Sequence, residues 1–155
     1  MWTRSGGKSG CGAPRAPRAA KIGASPSMTE QEILAFAKTF VDAIQAGDVP
    51  TVRACYAPDA KLWHNTDNIE QTVDQNIKLL EWFMRKLPDR HYRVLRREAL
   101  KDGFMQQHVL EATLPDGTKW KMDACVIVRM ENGRIVRLDE YLDSAAANAL
   151  SVLRR

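Results

Sequence analysis

Cysteine is scarce in the 155-residue chain: three residues, at 11, 55 and 125, with no Cys-x-x-Cys pair. That set argues against a disulfide framework and suits idle or buried thiols in a reducing compartment. Long apolar runs are also missing. None approaches the ~18 residues of a membrane-spanning helix, so no bilayer crossing is expected. The N-terminus lacks the hydrophobic core of a secretory signal, and a cytoplasmic location is the expectation. Aromatics are few, at 7%, yet four Trp and six Met remain to fill a core.

Signatures of nucleotide, metal and serine-nucleophile sites are equally lacking. No Gly-rich fingerprint follows a strand pattern, no nucleophile elbow is present, and no His-Glu-x-x-His occurs. Gly7-Lys8-Ser9 matches only the end of a phosphate loop, because the required earlier Gly falls on Trp2. The three His, at 64, 91 and 108, stand on different elements. Neither a metal nor an organic cofactor is expected. Charge of one sign is missing from the body of the chain. Of the net +4, Arg4, Lys8, Arg15, Arg18 and Lys21 supply +5 within residues 1–28, which hold no acid. Residues 29–155 then carry 18 basic against 19 acidic side chains. A nucleic-acid binder carries its positive charge on the domain that grips phosphate, so no nucleic-acid partner is expected.

What is present divides in two. Gly, Ser, Pro and Ala supply 17 of the first 28 residues without apolar periodicity, so residues 1–28 read as a disordered basic tail. An acid-poor targeting peptide, or translation from an upstream start with Met28 as the natural one, are the other readings. One domain over residues 29–155 follows, a usual single-domain size. Thr29 and Glu32 form a capping box, and Ile33, Phe36, Phe40 and Ile44 recur at helical steps until Gly47. Asp48 caps a short second helix carrying Val52 and Tyr56. A short strand is read at Ala60–His64, a loop at Thr66-Asp67-Asn68, and a long helix from about Glu70 to Leu87, stopped by Pro88.

The period then changes to two. Strands are expected at His91–Leu100, Phe104–Leu114, Lys119–Met130 and Arg134–Leu142, separated by Asp102-Gly103, Pro115-Asp116-Gly117 and Asn132-Gly133 turns. A last helix starts with Ser144 as its cap. Helices followed by an antiparallel meander imply an α+β fold, with a curved sheet wrapped around the N-terminal helices as a cone. The open end of such a cone is a pocket for a small molecule.

Alternation assigns the faces. Val136, Leu138, Glu140 and Leu142 share one side of the last strand, and Ile135, Arg137, Asp139 and Tyr141 the other. Trp120, Met122, Ala124, Val126 and Val128 form the apolar side of the strand before it. Phe104, Gln106, His108, Leu110 and Ala112 make the better core face of the one before that, although one bulge would exchange the two sets. Glu140 and His108 thus project into one apolar interior, as an expected acid–base couple. Burial would raise the carboxyl pKa, and a paired His would draw it back down. The plainer alternative is that Glu140 bonds a backbone amide or sits at the open rim, and that His108 is a satisfied core histidine. Trp63, His64 and Asn65 are expected to hold a substrate oxygen at the mouth. Phe40, Phe83, Gln106, Met122, Ala124 and Leu138 complete the expected lining. Arg85-Lys86 and Arg96-Arg97 read as solvated faces.

Several motifs, in order, resemble the SnoaL-like branch of the nuclear transport factor two-like superfamily over about residues 29–147. They are Ala46-Gly47-Asp48, Tyr56-Ala57-Pro58-Asp59-Ala60 leading into Trp63-His64-Asn65, Leu114-Pro115-Asp116-Gly117-Thr118, and Glu131-Asn132-Gly133-Arg134-Ile135 running into Asp139-Glu140-Tyr141-Leu142-Asp143. The resemblance implies a cystatin-like α+β barrel, a fold that hosts isomerases, hydrolases, cyclases, dehydratases and non-catalytic binders. Similarity to its polyketide cyclases would make Glu140 the acid/base, assisted by His108. The limonene-epoxide-hydrolase-like set is matched at Asn65 and Glu140. It has Trp63 in place of Tyr, and Gln106 and His108 in place of Arg and a second carboxylate. Ketosteroid-isomerase-like enzymes place an Asp base where this chain has His64 or Asn65. The expected function is therefore a cofactor-independent isomerase, cyclase or hydrolase acting on a hydrophobic, oxygen-bearing small molecule. The alternative is a non-catalytic binding or dimerisation module, with a homodimer formed through the sheet face carrying Cys125, Ile127 and Tyr141.

Overall fold

The computed structural model describes residues 27–154. The expected tail, residues 1–28, lies outside them except for Ser27 and Met28, and Met28 already packs against the core. Local chemistry starts each helix. Thr29 Oγ1 accepts from the Glu32 N–H while Glu32 Oε2 accepts from the Thr29 N–H at 2.7 Å, opening α1, Glu30–Ala46. Gly47, at φ 79°, ends it in the left-handed region that favours glycine. Asp48 caps α2, Val49–Cys55, through the Thr51 N–H. β1, Tyr56–His64, begins at Tyr56 and not at Ala60. β2, Glu70–Thr72, occupies the expected start of the long helix, being too short to show a period of its own. A second capping box, Thr72 with Gln75, therefore opens α3, Val73–Lys86, which ends before Pro88.

β3, His91–Leu100, β4, Gly103–Thr113, β5, Lys119–Glu131, and β6, Arg134–Leu142, follow. Each matches its expected span to within a residue at either end. Asn132 and Gly133, at φ 50° and 73°, make the tight β5–β6 turn that Asn-Gly favours. α4, Ser144–Ser151, is capped by Asp143 and not Ser144, since the Asp carboxylate accepts from the Ala145 N–H at 2.9 Å. The curved open sheet has the order β2-β1-β6-β5-β4-β3. It is antiparallel except for β1 and β6, which run parallel, a pairing open to them because the whole of α3 and the meander intervene.

Two bulges decide what faces inward. Between β5 and β6 the register shifts so that Met130 pairs with Ile135 and Arg129 with Arg137, leaving Val136 as the extra residue. Ile135 is consequently buried and Val136 half-buried, which corrects the simple alternation expected for that strand end. Leu138, Glu140 and Leu142 keep the expected side. Between β3 and β4 the pairs Val94–His108 and Arg96–Gln107 leave Leu95 as the extra residue, 59% exposed. Beyond that point the phase of β3 is reversed, and Arg97 turns inward opposite Gln106.

The inner side of the sheet carries two apolar clusters. One joins Ile33, Ala37, Phe40, Val52, Leu62, Phe104, Val128, Ile135 and Leu138 beneath the helices. The other joins Leu87, Leu110, Trp120, Met122 and Leu150, where the Trp120 indole N–H donates to the Ala146 carbonyl and ties α4 to β5. Buried Arg90 fastens α1 to α3. Its guanidinium donates to the carbonyls of Ile44, Gln45, Met84 and Leu87 at 2.8–3.3 Å. Those carbonyls end two helices, where a cation is doubly favoured: it satisfies open acceptors and meets the negative pole of each helix.

Candidate functional site

A cavity of about 330 Å³, the size of small-molecule pockets, is lined from both clusters. α1 contributes Phe40, Val41 and Ile44; α3 contributes Asn76, Leu79, Leu80, Trp82 and Phe83. Tyr56, Tyr92, Leu110, Met122, Val126, Leu138 and Leu142 come from the sheet, and Ala147, Asn148, Leu150 and Ser151 from α4. This wall is largely apolar. Its ionisable groups, His64, His108, Glu140 and the two tyrosines, are gathered on the sheet side, with Asp67 on the loop after β1.

Strand register gathers them. His64 on β1 pairs with Glu140 on β6, Glu140 with Val126 on β5, Val126 with Gln106 on β4, and Gln106 with Arg97 on β3. One row across five strands thus holds four polar side chains around a central Val126. His108 stands in the next row, two residues along β4.

At one end of the row, His64 Nε2 lies 3.2 Å from Glu140 Oε2. Burial works against the His64 cation, but the hydrogen bond to Glu140 and its charge prevail, so the imidazole pKa is raised. For Glu140, burial works to raise the carboxyl, while the His64 hydrogen bond, the His64 charge and that of His108 prevail and hold it below the ordinary 4.5. The result is an ion pair facing the cavity, with the Glu140 side chain 22% exposed. Pairing thus outweighs burial, as the sequence leads one to expect for a carboxyl with a paired His, but the ring that pairs is His64 and not His108. Burial, and then the charge of Glu140, push the phenols of Tyr56 and Tyr92 up, so both remain protonated hydrogen-bond donors.

At the other end, the Arg97 Nε–H donates to Gln106 Oε1 at 2.7 Å, and Gln106 Nε2 lies 3.3 Å from His108 Nδ1. The His108 ring tilts against Tyr92, with centroids 5.2 Å apart. Burial lowers the His108 pKa; the Glu140 charge opposes this and the Arg97 charge reinforces it.

Of the expected site residues, Glu140, His108, His64, Gln106, Met122, Leu138, Phe40 and Phe83 line the cavity. His108, expected as the direct partner of Glu140, bonds Gln106 instead, and His64 takes the carboxylate. Trp63, Asn65 and Ala124 are not among the lining residues. Trp63 has the opposite parity to His64. Its indole N–H donates to Asn68 at 3.0 Å and its ring packs edge-on against Tyr141, outside the cone. Asn65 exchanges two hydrogen bonds with the Leu142 backbone, at 2.8 and 3.1 Å, and so fastens the end of β1 to β6. Ala124 is buried between His108 and Leu142 in the sheet ladder. Arg97, read from sequence as solvated, is half-buried, because the Leu95 bulge turns it inward. Sequence reasoning also passed over Tyr92, Asn76 and Trp82. Tyr92 alternates correctly with Val94 and was open to detection by parity, whereas Trp82 has Lys78, Arg85 and Lys86 among its neighbours at helical steps and so reads as part of a solvated side. Among the described residues no three His, Cys, Asp or Glu side chains converge as a metal set, and no helix is long and apolar enough to cross a membrane.

Comparison with solved structures places the fold among known relatives. AclR, a proposed hydroxylase from Streptomyces galilaeus, is similar at 19% identity and TM-score 0.71, over 81% of this chain and 86% of that one. IdmH, a proposed polyketide cyclase from Streptomyces antibioticus, is similar at 18% and 0.68, over 77% and 97%. An LEH-like epoxide hydrolase from M. tuberculosis is similar at 16% and 0.63, over 81% and 98%. Comparison with curated proteins finds no match. The family model of the SnoaL-like domain matches residues 37–138, a stretch running from within α1 to β6 and covering most of the cavity wall: the chain belongs to the SnoaL-like family.

Proposed function

We propose that the protein is an enzyme of the isomerase, cyclase or hydrolase type, acting by proton transfer on a hydrophobic small molecule that bears one or two oxygens. The observation that carries this reading is the His64–Glu140 ion pair facing a largely apolar cavity of about 330 Å³. Glu140 is ionised at neutral pH and meets the cavity, the first requirement of a general base. It takes a proton from the substrate or from a substrate-bound water and returns it at another atom. His64 stabilises the carboxylate before the first transfer and again after the second, when Glu140 is ionised. Tyr56 and Tyr92, kept protonated, donate hydrogen bonds to oxygens near the carboxylate. The kinship with structures named as an epoxide hydrolase and a proposed polyketide cyclase supports chemistry of this class in this fold.

The test is a screen of small ketones and epoxides against the purified chain, followed by Glu140→Gln on any substrate found. A variant that keeps full turnover removes the mechanism. A second reading is a ligand-binding module that pairs through the outer sheet face. It is favoured by exposed Ile127 and Tyr141 on that face and by the lowered Glu140 pKa, which a purely structural ion pair would also show. Sedimentation at two concentrations tests the pairing, and a monomer at both counts against it.

A further inference from the structure

Arg97 is a charged side chain that bonds a fully buried amide without itself lining the cavity. An amide group has one acceptor end and one donor end, and a neutral imidazole has one ring nitrogen of each kind. The guanidinium can only donate, so Gln106 must turn Oε1 toward Arg97, as found at 2.7 Å. Its NH₂ group is then directed at His108 Nδ1, 3.3 Å away. A nitrogen that receives a donor must present a lone pair, so the imidazole proton resides on Nε2.

We propose that Arg97 is a positioning residue which, through Gln106, holds His108 with its proton on Nε2 and so makes it a hydrogen-bond donor to an acceptor oxygen of the bound molecule. The donor role rests on the small-molecule reading of the cavity; the proton placement does not. The division of labour is then explicit. Glu140 accepts a proton, and His108 steadies an oxygen on which negative charge gathers. A ligand offering a carbonyl or ether oxygen suits this donor, whereas one offering only N–H or O–H donors does not. The charge state agrees, since burial and the Arg97 charge both disfavour imidazolium at His108.

The titratable and charged groups around this ring are Arg97 and Tyr92 on β3, Glu140 on β6, and Tyr56 and His64 on β1. Asp42 on α1 acts on Arg97 in turn. On the inner side of β5, His108 is paired with Ala124 and flanked by Met122 and Val126, none of them titratable.

The test is long-range ¹⁵N–¹H NMR of the full chain labelled in histidine, which distinguishes the two neutral tautomers from each other and from imidazolium. His91→Asn and His64→Asn variants assign the three rings. At about pH 7.5 the wild type is expected to show His108 as the Nε2–H tautomer. In Arg97→Leu the Gln106 amide is released to rotate, and the ratio of Nε2–H to Nδ1–H falls about tenfold, as loss of one charge-assisted hydrogen bond implies. Arg97→Lys, which keeps a cationic donor, restores most of the ratio. An Nδ1–H tautomer or an imidazolium in the wild type overturns the proposal, and so does an unchanged ratio in a folded Arg97→Leu protein. Should Arg97→Leu fail to fold, the wild-type and Arg97→Lys spectra still decide. The readout is independent of turnover. An active Glu140→Gln enzyme would defeat the proposed mechanism and leave the proton placement at His108 standing.

Discussion

Two histidines share one cavity and are about equally buried, His64 at 8% exposure and His108 at 4%, yet their pKa values move in opposite directions. Burial disfavours the cation at both. The difference lies in the neighbour: a carboxylate within hydrogen-bond reach of His64, and an amide held by a guanidinium next to His108. Depth in a protein therefore does not set the charge of an imidazole by itself. The chemistry of the group one bond away does, and here it creates a charged end and a neutral end in a single pocket.

Changes at the charged end should have the largest effects. With a substrate in hand, Glu140→Gln should lower turnover by ~10²–10⁴, the usual worth of a general acid–base group, while circular dichroism remains unchanged. His64→Asn should follow, costing about 2–3 kcal/mol in urea unfolding near pH 6, because it leaves a largely buried carboxylate without its cation. The pH dependence of that cost has a definite sign. The His64 pKa is raised, so its contribution is complete below the ordinary 6.5 and is lost as pH rises through the higher folded value. That of Glu140 is lowered, so its contribution is complete above the ordinary 4.5 and is lost as pH falls through the lower folded value. The gap between wild type and His64→Asn is thus widest between those two values. A gap that stays flat from about pH 6 to about pH 9 would break the contrast between the histidines.

The neutral end predicts the reverse trend at smaller scale. His108→Asn should cost about 1 kcal/mol at neutral pH, the worth of one buried hydrogen bond. Because the His108 pKa is lowered, the wild-type advantage is complete above 6.5 and shrinks as pH falls through the folded value. Urea midpoints of both variants across the same pH series would show two curves of opposite slope. The smallest effect is expected outside the cone. Trp63→Phe loses the bond to Asn68 but keeps a ring against Tyr141, so about 0.5–1 kcal/mol should be lost. Binding of an apolar fluorescent probe to the cavity should not change. A clear loss of affinity would return Trp63 to the site.

Much of the fold was legible because its signals are short. Thr29 with Glu32, Gly47, Asp48, Pro88 and Asn132-Gly133 each act through bonds or backbone limits within about four residues. The four meander strands were legible through their alternation. The inward side of β4 was legible too, with Gln106 and His108 among apolar neighbours. The site was only half visible. The parity of Trp63, His64 and Asn65 already set His64 apart, yet nothing local said which of them meets Glu140. β1 lies about 75 residues earlier in the chain than its parallel partner, and that pairing has no turn to announce it. The inward turn of Arg97 was hidden as well: the alternation of β3 lapses at Val94-Leu95, and the charged run Arg96-Arg97-Glu98 that follows does not say which of its members turns inward.

The sequence by itself determined both ends of α1, the stop of α3 before Pro88, the turns, the spans of the four meander strands and the presence of an acidic residue on an otherwise apolar strand face. These depend on hydrogen bonds and steric limits that close within a few residues, so neighbours in sequence suffice to state them. Tertiary structure decided that His64 and not His108 meets Glu140, and that Arg97 reaches Gln106. Both outcomes follow from strand register. One extra residue at Leu95 reverses which side chains face the core, and whether that residue is accommodated depends on the packing of β3 against β4 and α1, not on the residues beside it.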